Sequence, residues 1–138
     1  MKAKKTLLII VVVSVAIVLG FAYVVRKRFQ LLATQSCISS VNAALASLSQ
    51  STIEQVIRVE PKWVILNTKE ADRLIQEASR SSSIDCKDGR PGDSLVDQWN
   101  HPLIIAIRKS PVDDKIEFKV SSNGPDGSLN SEDDIVSP

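Results

Sequence analysis

Asp97-Gln98-Trp99-Asn100-His101-Pro102 and Ser121-Ser122-Asn123-Gly124-Pro125-Asp126-Gly127 bracket the stretch that decides the fold. Between them, Leu103 to Arg108 is a short apolar run. Lys115 to Val120 alternates strictly, with Ile116, Phe118 and Val120 on one face and Lys115, Glu117 and Lys119 on the other. A period of two is that of a strand with one buried face, so the pair predicts an antiparallel hairpin. Ser110-Pro111-Val112-Asp113-Asp114 joins the two strands, its proline pre-setting φ for a turn and its acids tolerating one.

Working back from the hairpin, Asn67 to Ser79 has a capping asparagine, Glu70 three residues on, and Ala71, Leu74, Ile75 and Ala78 on one helical face. Trp63 to Leu66 predicts a brief strand. Ser51-Thr52-Ile53-Glu54 has capping-box form and predicts a helical turn with Ile53, Val56 and Ile57 inward, closed by Pro61. Phe29 to Gln50 lacks proline and glycine and places Ile38, Val41, Leu45 and Leu48 at helical steps. The other face of that segment, rich in Ser, Asn and Gln, suits a subunit contact or a solvated surface. Ser81 to Gly92, punctuated by Ser, Asp, Gly and Pro, predicts an exposed loop carrying Cys86.

At the start, Thr6 to Val25 is a run of 20 uncharged residues, long enough as a helix to cross about 30 Å of hydrocarbon. Lys2, Lys4 and Lys5 precede it and Arg26, Lys27 and Arg28 follow it. The immediate basic flank and the length favour a permanent anchor; the competing possibility is a cleaved secretory signal ending near Gly20-Phe21-Ala22. Residues 1–53 contain no acid, so the remaining 85 residues carry 11 bases against all 16 acids. An acidic soluble part argues against nucleic acid as partner, while the basic flanks suit anionic membrane lipid. Cys37 and Cys86 are the only cysteines and there is one histidine, too few ligands at too wide a spacing for a zinc site. In an exported domain the pair predicts a disulfide; in a cytosolic one, two buried thiols.

The order Asp-x-Trp, short gap, Pro, strand, turn, strand, Ser-x-Gly-x-Asp-Gly, spacer, Asp133-Asp134-Ile135 resembles the carboxyl-terminal domain of the major pseudopilin of bacterial type II secretion systems, over about 42 residues. The family pattern has glycine where this chain has Asn100, and asparagine best tolerates the left-handed backbone such a turn requires. The family also begins its apolar helix with Gly-Phe-Thr-Leu-Ile-Glu, the prepilin peptidase site. Here Gly20-Phe21 lies at the end of the apolar run, Val25 stands where the glutamate would be, and no acid occurs before Glu54.

The resemblance implies an α+β chain in which a long amino-terminal transmembrane helix precedes a small pilin-like domain with an antiparallel sheet. Residues 1–28 would be the anchor and 29–138 a periplasmic domain, helical over 29–80, a loop over 81–96, and hairpin plus calcium-type loop over 97–138. The expected location is the inner membrane, single-pass, with the amino terminus cytoplasmic; the cysteine pair and the calcium-type loop tip a balance that the flanking charges leave nearly even. The expected role is structural, with membrane lipid and other pseudopilins or secretion-apparatus proteins as partners and no small-molecule substrate. The alternative is a permanently anchored envelope binding module that never polymerises.

Two clusters could carry chemistry. An enzyme would make His101 a general base oriented by Asp97, but Asp97 is also well placed to satisfy backbone donors as the chain enters a strand, with Trp99 adding core area, and no nucleophile motif accompanies them. No enzyme activity is expected. Asp126, Glu132, Asp133 and Asp134 crowd four negative charges with no base among them. Such crowding fits an acidic solvated tail or a site for calcium, which takes six to eight oxygens. An EF-hand is not supported, because Ser131 stands where its sixth-position glycine belongs. The resemblance matches Asp126 and the Asp133-Asp134 pair to the family's calcium loop, with a carbonyl such as that of Asn123 completing the set.

Overall fold

The computed structural model describes residues 2–84, 86 and 95–137, and for residues 2–10 the backbone alone. Two compact units divide the chain, Met1–Leu32 and Ala33–Pro138. A 45-residue helix, α1 (Lys2–Ala46), supplies the first unit and opens the second. In the first unit every described side chain except half-buried Gln30 is exposed, Phe21 and Phe29 at 71% and 70%, so its apolar surface has no partner within that unit. Lys27 lies over the Tyr23 ring, 5.2 Å from its centroid. Among the described residues no helix is long and apolar enough to cross a membrane. Of the expected span Thr6–Val25, residues 6–10 fall where only backbone is described.

The second unit is α+β, as the sequence patterns require. After α1 come α2 (Gln50–Val56), β1 (Val64–Ile65), α3 (Thr68–Ser79), β2 (Ile104–Lys109), β3 (Ile116–Ser122) and β4 (Ile135–Val136). The four strands form one antiparallel sheet in the order β1-β2-β3-β4. Ile105 pairs with Val120 and Ile107 with Phe118, so the alternating apolar face of β3 meets that of β2. This face buries Ile105, Ile107 and Val120 in one cluster with Ile38, Val41, Ala44 and Leu45 of α1 and Leu74 and Ala78 of α3. A fully buried leucine such as Leu45 contributes about 2 kcal/mol by leaving water, so this stripe of α1 fixes the helix to the sheet.

Local chemistry sets the element ends. Asn67 Oδ1 accepts from the Glu70 amide and the Glu70 side chain accepts from the Asn67 amide, a reciprocal cap for α3. The cap of α2 is Ser49, whose hydroxyl accepts from the Thr52 amide. The box expected at Ser51 is not used, and Glu54 instead accepts from Gln50 Nε2. Starting two residues earlier costs nothing in packing, since Ile53 and Ile57 are still buried. α1 stops at Ala46, short of the Gln50 expected, because Ser47 and Leu48 must turn to reach that cap.

In the β2–β3 turn the Ser110 amide donates to the Lys115 carbonyl, and Asp114 takes φ 58°. The Lys115 ammonium lies 2.9 Å from Asp113, and this contact, with the Ser110 hydroxyl second, holds the Asp113 carboxyl below its ordinary range. Cys37, buried in α1, is bonded to Cys86 with their Cα atoms 4.6 Å apart. The loop predicted over 81–92 falls mostly outside the described residues.

Candidate functional site

Leu95 to Leu103 is a small hairpin: Val96 bridges Pro102, the Leu103 amide donates to the Leu95 carbonyl, and the Asp97 amide to the His101 carbonyl. Its reversal needs a left-handed residue, and Asn100 supplies it at φ 65°. Inside the turn lies the Asp97 carboxylate, 1% exposed. Its Oδ1 accepts from the amides of Trp99 and His101, both at 2.8 Å, and its Oδ2 accepts from the Ser122 hydroxyl at 2.6 Å. The Gln98 amide adds a bond to Thr34 Oγ1 on α1. Trp99 packs against the core cluster, as its position beside a strand entry implies.

Asp97 holds the His101 amide but makes no hydrogen bond with its ring. The two side chains approach only to 3.8 Å, and Nδ1 is 2.8 Å from the Gly124 carbonyl, so Nδ1 carries the proton and donates it there. The other edge of the ring faces Gly127, where a Cβ would come within 3.0 Å of Nε2. Asp97 and His101 thus hold backbone, and they do not form the acid–base pair that a general base would require.

The loop from Asn123 to Asp134 leaves β3 and returns to it, since Ile135 of β4 pairs with Ser122. Gly124, at φ 64°, sits so close to Asp133 that a Cβ would lie 2.8 Å from its Oδ2 and closer still to its carbonyl oxygen, which only glycine permits. The structure brings Asp126, Asp133 and Asp134 together around one atom. The Ser131 hydroxyl is 3.3 Å from Asp126 Oδ1, 3.2 Å from Asp134 Oδ1, and also bonded to Asp133 Oδ1. A hydroxyl has one proton to give, so two of these three oxygens face it without one.

Other carboxylate bonds in the loop are to backbone: Asp126 Oδ1 accepts from the Ser128 amide, Asp133 Oδ2 from the Asp126 amide and Asp134 Oδ2 from the Asn130 amide. The Ser131 hydroxyl, followed by the backbone amides, holds the Asp133 carboxyl below its ordinary range. Asn123 donates through Nδ2 to the Gly127 carbonyl, while its Oδ1 is buried with no donor among the described residues. Among the described residues no group of three or more His, Cys, Asp or Glu side chains stands where it could hold a metal ion.

The sequence reading missed Ser122, Ser131 and Gly124. Gly124 carried a signal, a glycine in a turn phrase; the two serines carried none that separates them from the many others in the chain. Compared with known proteins, the chain matches no family model, no curated protein and no solved structure.

Proposed function

We propose that the chain is a structural, pilin-like component of a type II secretion-type apparatus, anchored in the inner membrane with its folded unit in the periplasm and steadied there by calcium. The observation that carries this reading is the convergence of Asp126, Asp133 and Asp134 on the one hydroxyl of Ser131. The carboxylates of Asp126, Asp133 and Asp134 and the oxygens of Asn123 are donors of the chemical kind calcium takes, though as they stand they form no metal-holding group, and calcium would supply the positive charge the cluster lacks. The uncharged run Thr6–Val25 and the Cys37–Cys86 bond support the anchor and the oxidising compartment. Membrane lipid and other pilin-like subunits are the partners this reading implies.

A second reading, a permanently anchored binding module that never polymerises, is favoured by one observation, the lack of any acid before Glu54. Photo-crosslinking from Phe29, which is exposed on α1, distinguishes them in intact membranes. A ladder of self-linked copies is expected for the filament component; a single band with a different protein would replace it with the binding module. Protease added to spheroplasts should digest the folded unit, and full protection would overturn the periplasmic location. Intact mass should show an uncut amino terminus, because the Gly-Phe pair lies beyond the apolar run; a chain beginning at Phe21 would contradict this.

A further inference from the structure

Asn123-Gly124 is the only Asn-Gly pair in the chain. With no Cβ on the second residue, nothing shields its amide nitrogen from the asparagine side chain. When that nitrogen attacks Cγ, the new N–Cγ bond closes a succinimide, the Cγ–Nδ2 bond breaks, and the amide proton leaves with the amine as ammonia. Water then opens the ring to aspartate or isoaspartate. The folded loop withholds what this step needs. The Gly124 amide donates to Ser122 Oγ at 3.0 Å, so its proton is engaged. Asn123 Nδ2 donates to the Gly127 carbonyl at 3.3 Å, which ties the side chain across the turn that the Gly127 amide closes on the Gly124 carbonyl. Asn123 Oδ1, where negative charge would build as the nitrogen adds, is buried with no donor among the described residues to stabilise it. Ser122 is itself fixed. Fully buried, it gives its one proton to Asp97 Oδ2 at 2.6 Å, which leaves its lone pairs for the Gly124 amide.

We infer that Asn123 is a latent deamidation site, and that Ser122, positioned by Asp97, is the latch that keeps it closed by holding the Gly124 N–H. Opening the latch commits the loop to a one-way change. A carboxylate at position 123 cannot donate to the Gly127 carbonyl, and it adds negative charge to a loop that already holds Asp126, Glu132, Asp133 and Asp134. The isoaspartyl form also lengthens the backbone by one carbon directly before Gly124, where the Asp133 backbone already lies too close for a Cβ. Neither the latch nor the reaction involves a bound ion, and both stand apart from the proposed secretion role.

The test is incubation of the full chain in detergent micelles, in mildly alkaline buffer with chelator, with peptide mapping by mass spectrometry to locate and time each conversion of amide to carboxyl. In the native fold Asn123 should keep its amide over a period in which the urea-unfolded chain loses it. Equal rates in the two states would overturn the protection, and faster conversion of another asparagine in urea would remove Asn123 as the site. Ser122→Ala frees the Gly124 amide and leaves the Asp97 Oδ1 bonds to Trp99 and His101 in place. Conversion of Asn123 in the folded variant should rise about fivefold, the gain in locally open loop that loss of one intramolecular hydrogen bond allows, with amide exchange at Gly124 rising alongside. Asp97→Asn keeps the shape of the buried group, weakens the acceptor for the Ser122 hydroxyl, and should shift the rate in the same direction. Ile38→Val lowers global stability by a comparable amount from a buried position on α1 and should leave the rate unmoved. An equal rise in Ile38→Val and Ser122→Ala would make global unfolding the route and overturn the latch. Native rates in both Ser122→Ala and Asp97→Asn would overturn it as well.

Discussion

Asp97 on one side and Asp126, Asp133 and Asp134 on the other are two solutions to holding carboxylate charge in a small protein. Asp97 is buried and has three donors for one carboxylate. The loop carboxylates are far more accessible, yet three of their oxygens compete for the single proton of Ser131. Burial by itself is therefore a poor guide to which group is under strain. A buried carboxylate with its donors in place is an organising centre, because removing it strands those donors; a crowded exposed cluster is a place where something positive is wanted.

The comparison breaks first at Asp97. Asp97→Ala leaves the Ser122 hydroxyl and two amides without their acceptor in a closed site, and about 3 kcal/mol of stability should be lost in urea unfolding. Asp126→Ala, measured in chelator, should cost much less; equal costs would erase the distinction between the two sites. Next comes the ion itself. Calcium at a hundredfold excess over its Kd should stabilise the native chain by about 2.7 kcal/mol. Asp126→Ala combined with Asp133→Ala should remove that gain, and thermal melting in calcium and in chelator reads both. Identical melting of the native chain in the two buffers would rule out a structural calcium site.

Gly124→Ala sharpens the comparison at the point where the two regions touch. A left-handed alanine costs about 1–2 kcal/mol before any clash, and here the added methyl also meets the Asp133 backbone. Destabilisation in chelator should therefore exceed that figure, with the calcium response weakened as well.

The smallest effect is the pH dependence of Asp133. Its carboxyl is held below the ordinary range chiefly by the Ser131 hydroxyl, so its contribution is complete at neutral pH and is lost only as pH falls through the depressed value. Carbon-detected titration in chelator should place its midpoint below that of an ordinary aspartate. Ser131→Ala should move the midpoint up. An unmoved midpoint would mean that the hydroxyl is not what holds the charge.

What the sequence by itself determined was whatever depends on residues within about four positions of each other. The strict alternation of Lys115 to Val120 specified a one-sided strand, found as β3 with its ends shifted by one or two residues. Asn67 and Glu70 specified the start of α3, and the tolerance of asparagine for left-handed backbone specified that the Asn100 turn would survive without glycine. With only two cysteines, the one possible pairing within the chain was legible as well, and it is formed. β4 was not legible, since Ile135-Val136 follows a run of acids and becomes a strand only by pairing with Ser121 and Ser122 of β3. Nor could the sequence separate Ser49 from Ser51 as the cap of α2, because both precede the same apolar face.

The site divides in the same way. The carboxylates of the loop stood out as a run of like charge, and Asp97 as an acceptor for nearby amides. That Asp97 would reach Ser122 across 25 positions, and His101 reach Gly124 across 23, was decided only when β3 paired with β2 and the tail came back as β4. A hydroxyl or an imidazole has several possible partners in any local window. Which one it takes follows from strand register, and register is a property of the whole packed sheet.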